Sequence, residues 1–113
     1  MAQLTWQSIQ SDADLDLALQ RSHEKPVVIF KHSTRCPVSS MALRLFEHEW
    51  SYGPDQVEPF FLDLIAFRPI SNRIAQELAV DHESPQLIVV KNGRAIYDRS
   101  HNAISAGALS ELF

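Results

Sequence analysis

The chain has 113 residues and a mass of 12.8 kDa, with 45% hydrophobic and 21% charged side chains, which implies one soluble globular domain over residues 1–113. No run approaches the ~18 apolar residues of a membrane span, and Met1-Ala2-Gln3-Leu4-Thr5-Trp6 lacks the basic and apolar regions of a signal peptide. Ten Lys+Arg against 14 Asp+Glu give a net charge of −4 and a pI near 5.6, leaving a nucleic-acid role with little electrostatic support. One cysteine excludes an internal disulfide. In a protein expected to be cytoplasmic, such a thiol is either an inert core residue or one held for chemistry.

A short strand at Leu4–Trp6 is expected to open the chain. Ser11-Asp12-Ala13-Asp14 has the form of a capping box with Asp in the place of Glu or Gln, and Leu15, Leu17, Ala18 and Leu19 behind it predict a helix ending near His23. After Pro26, the all-apolar Val27-Val28-Ile29-Phe30 reads as a central strand covered on both faces. Lys31-His32-Ser33-Thr34-Arg35 reads as a polar loop. From Val38 the period is helical: Val38, Met41, Ala42, Leu45, Phe46 and Glu49/Trp50 give one apolar stripe that runs to about Trp50 and is ended by Tyr52-Gly53-Pro54.

Val57–Leu64 reads as a second core strand, with Pro59 near its start. Pro69 suits the first turn of a helix that carries Ile70, Ile74, Ala75 and Leu78 on one face. Leu87–Val90 is another buried strand. Asn92-Gly93 is the hairpin signal that leads into Ala95–Tyr97, because a type I′ turn needs positive φ at both central residues. Ala103–Phe113 reads as a closing helix. Strands separated by helices imply parallel crossovers, and the hairpin adds an antiparallel edge. The fold class is α/β, a mixed central sheet with helices on both faces.

The chemistry centres on Cys36. It follows a buried strand and a polar loop and falls at the expected N-cap of the next helix, where Pro37 suits N1 because its missing N–H would be unpaired anyway. The free N–H groups of Val38 and Ser39 and the positive end of the helix dipole then face the sulfur, which favours thiolate over thiol. Arg35 and His32 add positive potential. The bland alternative is a small buried hydrophobe, which free cysteine often is. Ser39, at the position of a second thiol, cannot resolve a mixed disulfide; its hydroxyl and N–H are candidate hydrogen-bond donors to the thiolate, or simply parts of a helical first turn. Lys31, His32 and Arg35 are candidate contacts for carboxylates of a small thiol, against the commoner reading of solvated loop charges. No pairing among His32, Cys36, His82 and His101 has a recognised ligand spacing, so no metal is expected.

Cys36-Pro37-Val38-Ser39 after a core strand resembles the thioredoxin-superfamily motif in its one-cysteine form, and Ser84-Pro85 before Gln86–Val90 resembles the superfamily's cis-proline. Together with Arg68-Pro69-Ile70-Ser71-Asn72, His82-Glu83-Ser84-Pro85-Gln86 and Ser100-His101, these elements are similar to the YtxJ-like family of monothiol bacilliredoxins. Some relatives carry an aromatic residue after the Ser-His element; here it is Asn102. The resemblance implies a thioredoxin-like fold and Cys36 as the nucleophile of thiol–disulfide exchange. It further implies S-thiolated client proteins as partners, and bacillithiol as co-substrate rather than a bound cofactor. The exposed backbone of Ser84 beside a cis Pro85 would then receive an extended segment of substrate. Two other classes stay open: an iron–sulfur carrier like the monothiol glutaredoxins, whose cysteine is followed by Gly-Phe-Ser rather than Pro-Val-Ser, and a non-catalytic interaction module on the same fold.

Overall fold

A computed structural model describes residues 4–113. Its elements in chain order are β1 (Gln7–Ser8), α1 (Asp12–Arg21), β2 (Val27–His32), α2 (Pro37–Glu49), β3 (Glu58–Asp63), α3 (Arg68–Leu78), β4 (Gln86–Lys91) and β5 (Arg94–Ser100). Two 3₁₀ segments, His101–Ala103 and Gly107–Leu112, follow. The five strands form one sheet in the order β1-β3-β2-β4-β5. β2 lies in the middle, parallel to β3 and antiparallel to β4.

All six residues of β2 are buried, and its alternation divides the core. Val27 and Ile29 pack with Leu15, Ile74 and Leu78 under α1 and α3. Val28 and Phe30 pack with Phe46, Trp50 and Leu109 under α2 and the C-terminal segment. Both faces are therefore covered, as the unbroken apolar run requires.

Local signals act as their chemistry dictates. Ser11 Oγ accepts the Asp14 N–H at 3.1 Å, and Asp14 Oδ2 reaches back to the Gln10 N–H at 2.9 Å. Asn92 and Gly93 both have positive φ, 54° and 75°, and their N–H groups are held by Ser22 at the end of α1.

Four expectations are corrected. The first strand forms at Gln7–Ser8, just beyond Leu4–Trp6, where the backbone meets Phe60 and Phe61 of β3. The central strand does not end at Phe30. Lys31 and His32 continue it, because Leu62, Asp63 and Gln86 on the flanking strands carry the ladder to that point. The C-terminal α-helix is replaced by two short 3₁₀ turns broken at Ile104, whose backbone is extended; only Ala106 and Leu109 of this stretch are buried, too little for an apolar stripe. Finally, β4 does not run parallel to β2 and β3. α3 ends at Ala79 in the left-handed conformation (φ 54°), and the chain re-enters the sheet at the end from which β3 left it. That reversal brings the residues before β4 to the same end of the sheet as those after β2.

Candidate functional site

Cys36 is the N-cap of α2 with extended backbone (φ −109°, ψ 116°), Pro37 begins the helix, and the sulfur makes no capping hydrogen bond. The thiol is half-buried, within reach of solvent. The Ser33 carbonyl accepts the Cys36 N–H at 3.2 Å, closing the turn Ser33–Cys36, and the Cys36 carbonyl accepts the Ser40 N–H at 3.1 Å as the helix's first turn. The residue is thus fixed by backbone on both sides while its side chain stays unpaired among the described residues. A sulfur so placed can act as a nucleophile at the positive end of a helix.

Ser39 departs from its expected role. It is fully buried, and its Oγ accepts the Ser33 N–H at 3.0 Å and shares a 2.8 Å hydrogen bond with His32 Nδ1. The hydroxyl is therefore engaged with the loop and the imidazole, not with the sulfur. A Ser–His pair with Asp63 on the neighbouring strand has the residue types of a hydrolase, but a hydroxyl with no exposed surface cannot meet a substrate.

The candidate cations separate. Lys31 is fully buried on the α3 side of the sheet, where Nζ donates to the Ser71 carbonyl at 3.1 Å; burial pushes its ammonium down to about 8. It cannot reach a soluble thiol. His32 is buried on the α2 side against Phe61, and burial holds its imidazole below the ordinary range, opposed by the charges of Asp63 and Glu47. It too is withdrawn from the ligand-contact role. Arg35 is exposed and forms no ion pair among the described residues, which leaves it free to meet a carboxylate.

The Ser84–Pro85 bond is cis, in keeping with the sequence reading. Ser84 is half-buried with its Oγ unpaired among the described residues, and the Pro85 carbonyl accepts the His101 N–H at 3.1 Å. That bond ties the segment before β4 to His101–Asn102, which share with Pro37 and Val38 the wall of a groove of about 400 Å³. The groove continues along α2 over Met41, Ala42 and Leu45, with Ile104 opposite.

The apolar stripe read along α2 is present, but only part of it is packed against the sheet. Val38, Met41 and Leu45 are exposed by 48, 57 and 56%, and only Ser39 and Phe46 are buried within the helix. At about 100° per residue, Met41, Leu45, Val38, Ala42, Phe46, Ser39 and Trp50 follow one another around half the helix. One packed face covers only part of that arc, so the excess width itself marks an apolar surface left outside. Counting arc rather than period is the signal that would have found Met41 and Leu45.

A mixed five-stranded sheet between helices, with its thiol at the N-cap of the helix after the central strand, defines a protein of the thioredoxin-fold class. Solved structures agree. A candidate oxidoreductase with a thioredoxin fold is 30% identical, with a TM-score of 0.76 over 92% of this chain and 89% of that one. Malassezia sympodialis thioredoxin (24% identity, TM-score 0.70, 96% and 87% covered) and Arabidopsis thaliana thioredoxin O2 (18%, 0.71, 98% and 95%) share the fold. Residues 7–109 match the family described as monothiol bacilliredoxin BrxC, and the chain belongs to that family. Its class of activity is thiol redox chemistry.

Proposed function

We propose that the protein removes bacillithiol from S-thiolated proteins in a reducing cytoplasm, with Cys36 as nucleophile. The observation that carries this reading is a reachable thiol at the N-cap of α2 whose i+3 neighbour is an enclosed serine. The Cys36 thiolate attacks the small-thiol sulfur of the mixed disulfide. The bond from that sulfur to the client breaks, the client leaves as a thiolate that takes up a proton, and Cys36 carries the small thiol as a new disulfide. With no second cysteine in the chain, a free low-molecular-weight thiol must attack this adduct and return Cys36 to its reduced form. The exposure of Arg35, next in sequence to the thiol and without an ion pair among the described residues, supports its meeting a carboxylate of bacillithiol. The apolar strip Val38, Met41 and Leu45, which begins two residues beyond the thiol, suits a protein rather than a free small disulfide as the partner.

The choice of small thiol is tested by presenting one client protein modified in turn with bacillithiol, glutathione and coenzyme A, and timing release of the client thiol. The reading expects bacillithiol to be removed fastest, and the advantage to shrink in Arg35→Ala. Equal rates for all three would leave a general thiol exchanger and reject bacillithiol as the preferred group.

A further inference from the structure

Four hydrogen-bonded groups run in series from the core to the nucleophile. His32 Nδ1 is bound to Ser39 Oγ at 2.8 Å, Oγ accepts the Ser33 N–H at 3.0 Å, and the Ser33 carbonyl accepts the Cys36 N–H at 3.2 Å. His32 is 6% exposed and Ser39 not at all, so water is poorly placed to replace either partner. Phe61 packs on the imidazole at 5.5 Å between ring centroids and limits its rotation. Burial disfavours the charged form of the ring, against the pull of Asp63 and Glu47, which suits it to the role of a hydrogen-bond partner.

We infer that His32 and Ser39 are positioning residues for Cys36, acting as one unit that pins the Ser33–Cys36 turn onto the first turn of α2. The inference deepens the thiol-exchange reading and rests on it only for the identity of the nucleophile. Ser33 is the link between the two ends of the series. Both its backbone groups are used, the N–H by Ser39 and the carbonyl by Cys36, so a loss at Oγ is passed to the Cys36 backbone through a single residue. Ser39 therefore has a use at the position of a second thiol that does not depend on touching the sulfur.

The test uses iodoacetamide as the probe of Cys36, so it needs neither client nor bacillithiol and is independent of which small thiol is used. His32→Phe keeps the ring against Phe61 and removes the nitrogen; Ser39→Ala removes the hydroxyl; His32→Asn returns a polar atom near the place of Nδ1. Each single loss is expected to slow alkylation severalfold, since a Cys36 displaced from the first turn of α2 loses the N–H groups and the helix dipole that make its sulfur reactive. The double variant should be no slower than the worse single one, because the two residues act in series, and His32→Asn should recover most of the rate. Losses that multiply in the double variant, or an Asn variant no faster than Phe, would overturn the inference. Should a variant fail to fold, hydrogen exchange of the wild-type protein decides: a protected Ser33 amide supports the series, and one exchanging as fast as an open loop contradicts it.

Discussion

Lys31 is an ammonium enclosed by the sheet and α3 with one carbonyl as its hydrogen-bond partner among the described residues, and a buried charge so held is a cost to the fold. Its folded-state value of about 8 lies below the ~10.4 of an unfolded lysine. Below pH 8 both states are charged and the folded one bears the cost. Between about 8 and ~10.4 the unfolded state retains a proton that the folded state has released, so this residue's contribution to stability rises with pH. Lys31→Met should therefore stabilise the protein by about 1–3 kcal/mol at pH 7, with the gain shrinking by pH 10. Urea unfolding at both pH values measures it; a Met variant less stable at pH 7 would mean that the ammonium contributes more than its burial costs. At this scale Cys36 and Pro37 were legible from sequence, because N-cap and N1 preferences are local. Lys31 and His32 were not, because a polar pair after an apolar run looks like a loop until the flanking strands are known to extend that far.

Among elements, α2 carries the thiol and is held to the sheet mainly by Phe46, whose ring centroid lies within 5.8 Å of those of Trp6, Phe30 and Trp50. Phe46→Ala should cost about 3–5 kcal/mol, the range for truncating a buried aromatic. Leu45→Ala, one position away on the exposed strip, should change stability by less than about 0.5 kcal/mol. Denaturant titration of the two variants separates them, and equal losses would show that the outer strip is packed in solution. Helix and strand positions followed well from period, caps and the Asn92-Gly93 turn. The C-terminal stretch did not, because Leu109 and Leu112 suggest a helix while nothing local reveals how little of that segment the sheet covers.

For the whole molecule, the antiparallel placement of β4 decides the site, since it brings Ser84 and Pro85 to the end of the sheet where Cys36 lies. A β–α–β order alone favours a parallel crossover, and the direction in which α3 carries the chain depends on contacts that sequence spacing does not encode. The same end of the molecule presents the apolar groove beside the thiol. Met41→Glu should slow transfer from a thiolated protein severalfold and leave transfer from a small bacillithiol disulfide unchanged. Equal slowing of both would assign Met41 to the integrity of α2 rather than to the client.

Under the proposed mechanism Cys36 takes the small thiol from a client and, lacking a second cysteine, keeps it. Intact-mass spectrometry of a bacillithiol-modified client mixed with this protein, with no free thiol present, tests it most directly. A one-to-one adduct on Cys36 and a released client are expected, with turnover only after free bacillithiol is added. Cys36→Ser should fold normally, since serine is a good N-cap, and release nothing. Undiminished client release by Cys36→Ser, or release by the wild type without any mass gained on Cys36, would rule this mechanism out.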